Sequence, residues 1–276
     1  MRLEHTSSPD GTRIAWRAPD SAGIPVLLSA PSLCTHLHWA GVEPLLAEFC
    51  RPIGWDYRGH GWSEDPADPG DYRLERVVED LAAVHAAAAG DEPVCLCGLS
   101  LGGLVSLCYA LEQPERVRAL VLVNSGPGFK NPENRERWAR RWRRAADKLE
   151  SAGLEAYLDN RRAIAEILGR RPDSPEARRA RDGVLHSRAG ALAHFARGVA
   201  APQPDLTGRL SEIDRPALVL VGAEDPGFQR AAEVFEARMP RARRGSIAAA
   251  GHPVPLDAPR AFAESLRAFL EELPDR

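Results

Sequence analysis

The chain has 276 residues, 44% of them hydrophobic and 27% charged, with a formal charge of −3. That length accommodates one large α/β domain, or one domain with an insertion. The near-balanced charge argues against a protein-wide nucleic-acid or membrane role, and no run approaches the about 18 apolar residues of a membrane span.

The N-terminal stretch lacks the basic start and apolar core of a signal peptide, so a cytoplasmic location is expected. The cysteines are Cys34, Cys50, Cys95, Cys97 and Cys108. Their odd number and their placement in strand or helix patterns read as small buried apolar side chains in a reducing compartment. Neither a disulfide framework nor a metal site is expected.

Residues 1–17 read as two edge strands around Ser8-Pro9-Asp10-Gly11, whose Pro-Asp-Gly is a turn signal. Ile24 to Leu28 is a buried-strand run, followed by an irregular stretch from Ser29 to His36. Glu43 to Cys50 reads as helix, and Arg51 to Trp55 as a strand entering the Gly-rich turn Asp56 to Ser63. A helix is expected over about Asp71 to Ala89, with Leu74, Val77, Val78, Leu81 and Val84 on one face. Strands follow at Val94 and over Val117 to Val123, separated by a helical pattern in Leu104, Leu107, Cys108 and Leu111. Such alternation implies a parallel sheet covered on both faces.

The alternation stops between Gly128 and about Ala200, where only helical stretches are found. One places Trp138, Trp142, Ala145 and Leu149 on a common face among Arg140, Arg141, Arg143 and Arg144; another carries Leu154, Leu158, Ile164, Ile167 and Leu168. Strand and helix then alternate again: Pro216 to Val221, Gln229 to Arg238, Arg243 to Ala248 and Arg260 to Leu273. This pattern is that of a core in two parts, 1–127 and 204–276, with a helical cap or lid over 128–203. The segment 128–200 holds 17 Lys and Arg against 10 Asp and Glu. The excess is either a solvated arginine face or an attractor for an anionic substrate. Arg170 to Pro175 is expected to be the most mobile loop.

The chemistry starts at Gly98-Leu99-Ser100-Leu101-Gly102-Gly103. A buried strand ends, the chain reverses, and a helix begins directly after Ser100. That order presents the serine hydroxyl at the carboxyl end of the sheet and the Leu101 N–H at a helix N-terminus, where an oxyanion can be received. An ordinary Gly-rich turn is the alternative reading; a phosphate-binding loop would need a lysine that is missing.

A serine hydroxyl needs a base, and the base needs a partner that holds its tautomer. A strand ending in Gly222-Ala223-Glu224-Asp225 supplies an acid, and Ala250-Gly251-His252 after the next strand supplies an imidazole. Ser100, Asp225 and His252 follow one of the known chain orders for such triads. Glu224 is the competing acid, with Asp225 then only a helix N-cap before Pro226. His60 is expected to make structural hydrogen bonds. His36 and His38 could line the entrance, and Trp138 and Trp142 are pocket candidates that could equally be packing between cap and body.

The chain resembles α/β-hydrolase-fold enzymes over nearly its whole length. The matching pieces are Asp56-x-Arg58-Gly59-His60-Gly61-x-Ser63, the Gly98 to Gly103 segment, Gly222-x-x-Asp225 and Ala250-Gly251-His252. Ser32-Leu33 with Trp39 beyond it, and Leu122-Val123-Asn124-Ser125, are most like the 3-oxoadipate enol-lactonase and small carboxylesterase group. The resemblance implies a mostly parallel central sheet with helices on both faces, a helical cap insertion, the Ser-His-Asp triad and no cofactor. Many relatives carry His-Gly where this chain reads Ala30-Pro31-Ser32-Leu33; by position the second oxyanion donor is the Leu33 N–H. Cys34 stands where enol-lactonase relatives usually have glycine, and the alternative acid position holds Asn124.

The expected activity is hydrolysis of an ester or lactone of a small to medium acyl substrate through an acyl-enzyme. Carbon–carbon bond hydrolysis of a vinylogous diketone uses the same triad and is the alternative; a non-hydrolytic small-molecule binding protein on this fold is another. A small-molecule substrate is the partner expected, with no nucleic acid and no membrane. Oligomeric state is not readable.

Overall fold

A computed structural model of the chain describes residues 2–274. The strands are β1 (Glu4–Ser7), β2 (Arg13–Arg17), β3 (Pro25–Ser29), β4 (Arg51–Trp55), β5 (Val94–Leu99), β6 (Val117–Val123), β7 (Ala217–Gly222) and β8 (Ala242–Ile247). They form one sheet in the order β1-β2-β4-β3-β5-β6-β7-β8. β1 and β2 are antiparallel additions at one edge; from β4 to β8 each neighbouring pair is parallel. Gly11 makes the β1–β2 turn at φ 90°, as the Pro-Asp-Gly signal required.

Helices α1 (Glu43–Leu46), α2 (Leu74–Ala89), α3 (Leu101–Glu112), α4 (Pro132–Leu158), α5 (Arg161–Ala163), α6 (Pro175–Leu185), α7 (Ala189–Phe195), α8 (Pro226–Arg238), α9 (Val254–Asp257) and α10 (Pro259–Glu271) complete the fold. The central strands are apolar on both faces because both are covered. Leu96, Leu120, Leu122 and Val219 pack into one core, and Cys95, Cys97, Val121 and Leu220 into the other. All five cysteines are buried and unbridged.

The helix read over Glu43 to Cys50 is only α1; the chain then leaves by turns, because it must extend into Arg51 before Pro52. α2 starts at Leu74, behind a 3-10 turn over Pro69–Asp71. Between β6 and β7 the described chain holds α4 to α7, with π turns over Ile164–Leu168 and Ala196–Ala200. α4 is interrupted at Gly153, which has φ 82°. Its inward residues are Ala139, Trp142, Ala146 and Leu149, while Trp138 is half-buried. The two ends of this segment meet: Phe129 N–H donates to Pro204 O at 3.0 Å and Leu206 N–H to Pro127 O at 2.9 Å. The stretch from Arg170 is tied down by its backbone N–H, which donates to Asp257 Oδ1 at 2.8 Å, and by an ion pair with Glu224.

Candidate active site

Ser100 sits between β5 and α3 with φ 56° and ψ −114°, a left-handed conformation that is costly for a residue with a side chain. Close packing enforces it. A Cβ on Gly98 would lie 2.2 Å from the Gly102 backbone, and one on Gly102 would lie 2.2 Å from Ser29 O. The corner is also tied to β6: Ser100 N–H donates to Val123 O at 2.9 Å, and Ser125 Oγ donates to Ser100 O at 2.8 Å.

Asp225 and His252 come together from the ends of β7 and β8. The His252 Nδ1 lies 2.6 Å from Asp225 Oδ2. Asp225 also caps α8, its Oδ1 accepting from Gly227 N–H at 3.3 Å, so one carboxylate oxygen faces the His252 ring and the other the helix N-terminus. Glu224 points elsewhere, to Arg170. The two loops approach so closely that a Cβ on Gly222 would lie 2.3 Å from Gly251 O. Phe228 covers the imidazole at 5.1 Å between ring centroids.

Ser100, Asp225 and His252 all line one cavity of about 390 Å³. Among the described residues no hydrogen bond joins the Ser100 hydroxyl to the His252 ring, though both line the cavity. Leu101 lines the cavity at the N-terminus of α3, and Pro31 and Ser32 line it from the loop after β3. Leu33 is buried and occupies the left-handed position, φ 63°, of the turn closed by Cys34 N–H and Pro31 O at 3.1 Å. Among the described residues neither the Leu33 nor the Leu101 N–H is taken by a protein acceptor.

His36 is not a pocket residue. It is buried, its backbone N–H donates to Asp56 Oδ1 at 2.7 Å, and its Nδ1 lies 2.8 Å from the same oxygen. Asp56 also accepts from Trp62 N–H at 3.1 Å, so it braces the loop after β3 against the Gly-rich turn. His60 is buried against Phe195, its Nδ1 3.0 Å from Arg58 O, and burial pushes its pKa down to about 4. His38 is fully enclosed, and burial, with His252 nearby, pushes it down to about 3. Arg58 forms a buried two-pronged pair with Asp80 at 2.8 and 2.7 Å.

Trp138 and Trp142 both line the cavity, and Trp138 also bonds Ala200 O through Nε1 at 2.8 Å. Sequence reasoning missed other lining residues: Phe129, Tyr157, Phe228, and the charged pair Arg141 and Glu166. Burial raises the Tyr157 phenol to about 12, so it is a neutral hydroxyl at physiological pH.

The model of the alpha/beta hydrolase fold matches residues 25–259. The chain belongs to this family. Among its relatives, a Bacillus subtilis protein named for 2-succinyl-6-hydroxy-2,4-cyclohexadiene-1-carboxylate synthase is 31% identical, over 85% of this chain and 86% of its own. The 3-oxoadipate enol-lactonase 2 of Acinetobacter baylyi is 25% identical, over 91% and 90%. Among solved structures, a thermophilic esterase from Thermogutta terrifontis superposes with a TM-score of 0.84 at 25% identity, covering 99% of each chain. This member of the alpha/beta hydrolase family places its cavity between the carboxyl ends of β3, β5, β6 and β7 and the helices that follow β6. No helix among its described residues is long and apolar enough to cross a membrane.

Proposed function

We propose that this protein is a serine hydrolase that cleaves an ester or lactone of a small to medium acyl compound. The observation that carries the reading is the strained Ser100 corner opening on the same 390 Å³ cavity as an imidazole whose far nitrogen is held by Asp225. That volume falls within the roughly 300–1,000 Å³ of small-molecule sites. Relatives that include a lactonase and an esterase support acyl chemistry on this scaffold.

In the first step Ser100 Oγ bonds to the carbonyl carbon while His252 Nε2 takes the hydroxyl proton. Asp225 fixes the Nδ1–H tautomer and stabilises the imidazolium. The oxyanion is received by the N–H groups of Leu33 and Leu101; one such donor is worth about 3 kcal/mol of barrier. His252 then returns its proton to the leaving oxygen as the carbon–oxygen bond breaks, and the acyl group stays on Ser100. Water, deprotonated by the same imidazole, attacks the acyl-enzyme and frees the acid and the serine.

Turnover of a short and a long p-nitrophenyl ester by wild type and by Ser100→Ala tests this. Loss of at least about 10⁴-fold in kcat with an unchanged circular dichroism spectrum is expected. Equal turnover by the two proteins would remove Ser100 from the mechanism.

A further inference from the structure

Several arginines of residues 128–200 are held in ion pairs on the outer surface. Arg143 bonds Glu136 at 3.1 Å, Arg181 bonds Asp159 at 3.1 Å, and Arg197 bonds Glu150 and Asp147 at 2.5 and 2.7 Å. Arg141 is placed differently. It is the one arginine or lysine lining the cavity among the described residues, and its guanidinium carbon lies 5.1 Å from the Trp138 ring centroid and 5.3 Å from that of Trp142. Two indole faces hold its planar guanidinium. Trp142 Nε1–H, buried beside it, has no acceptor. A neutral acyl chain has no use for these donors.

The counter-ion of Arg141 is Glu166, which lines the same cavity from the π turn Ile164–Leu168. Glu166 has a second guanidinium within reach: its Oε1 lies 3.8 Å from Arg162 Nε, one turn earlier and 69% exposed. The carboxylate thus stands between one arginine inside the cavity and one outside it.

We propose, building on the hydrolase reading above, that Arg141 is the specificity-determining residue for substrates carrying an acidic group, with Glu166 as a displaceable counter-ion that passes to Arg162 when that group docks. The exchange conserves ion pairs. The substrate carboxylate replaces Glu166 on Arg141, and Glu166 keeps a partner instead of being left unpaired at the cavity wall, which would be costly. A neutral substrate leaves the Arg141–Glu166 pair intact and gains nothing from it, so discrimination comes from the difference. The substrate class is an ester or lactone whose acyl part carries a second carboxylate.

The test compares mono-p-nitrophenyl glutarate with p-nitrophenyl pentanoate, matched in acyl chain length. Wild type should favour the glutarate ester in kcat/KM, and Arg141→Gln should lower that preference at least tenfold, mainly through KM. Glu166→Gln should lower KM for the glutarate ester, the opposite sign from damage to a structural bridge. An unchanged preference in Arg141→Gln, or a KM in Glu166→Gln that rises for both esters alike, would overturn the proposal. Calorimetric titration of succinate, glutarate and adipate into Ser100→Ala, with and without Arg141→Gln, reads the same site without turnover. Binding of one of the diacids that Arg141→Gln weakens at least tenfold supports the proposal even if wild type cleaves neither ester; binding of none overturns it.

Discussion

Asn124 holds the loop that carries His252: its Nδ2 donates to the carbonyl oxygens of Gly251 and His252 at 2.9 and 2.8 Å. Its Oδ1 accepts from Gly222 N–H at 3.0 Å, and the residue is fully buried at the end of β6 with φ 38°. Two carbonyls on one side and an N–H on the other fix the orientation of the amide. One side chain therefore ties the end of β7 to the loop that carries His252. Asn124→Ala should lower kcat about 10- to 100-fold and destabilise the fold by about 1–3 kcal/mol, because buried groups lose their partners. Asn124→Asp should be worse, since a carboxylate would face two carbonyl oxygens. Urea unfolding beside ester kinetics checks both; a kcat in Asn124→Asp equal to wild type would contradict this role.

The adjacent acids make a second pair of outcomes. Asp225→Asn should cost about 10⁴-fold in kcat, by loss of the required His252 tautomer, while the protein stays folded. Glu224→Gln removes only an exposed ion pair with Arg170 and should stay within about threefold of wild type. Steady-state kinetics of the two variants decides, and a larger loss in Glu224→Gln would reassign the acid.

Acid should destabilise the protein through its buried imidazoles. Burial pushes His38 down to about 3 and His60 down to about 4 in the folded chain. An unfolded histidine titrates near ~6.5. Below that pH the unfolded chain binds more protons, so stability falls as pH drops from ~6.5 towards ~4. The loss is about 1.6 kcal/mol per imidazole between pH 6.5 and 5. Urea midpoints measured across that range should fall steeply for wild type and less steeply for His60→Asn. Parallel slopes would contradict the assignment.

Much of this architecture is legible in the chain because its signals are local. The run Val94 to Leu99, the glycines at 98 and 102 and the helix after Ser100 are written in consecutive residues, and the structure follows them almost to the residue. Asp225 stands just past the apolar strand β7, whereas His252 follows a mostly polar strand, β8, and is marked only by the Ala250-Gly251 before it. His36 is not readable in this way: the carboxylate that turns it away from the cavity, Asp56, lies twenty positions on. Asn124 reads only as a vacant acid position until β7 and β8 are laid beside it. Arg141 stood in a crowd of arginines, although its spacing of three from Trp138 placed it on the indole face. What that spacing omits is Glu166, which reaches the site only through the π turn.

The central claim is that Ser100 is a nucleophile activated by His252. The most direct measurement is mass spectrometry of the protein after exposure to a fluorophosphonate, with the adduct mapped to its peptide. The account predicts one adduct, on Ser100, absent from Ser100→Ala and formed at least about 100-fold more slowly in His252→Ala. A folded wild type that takes no label, or takes it on another residue, would contradict it.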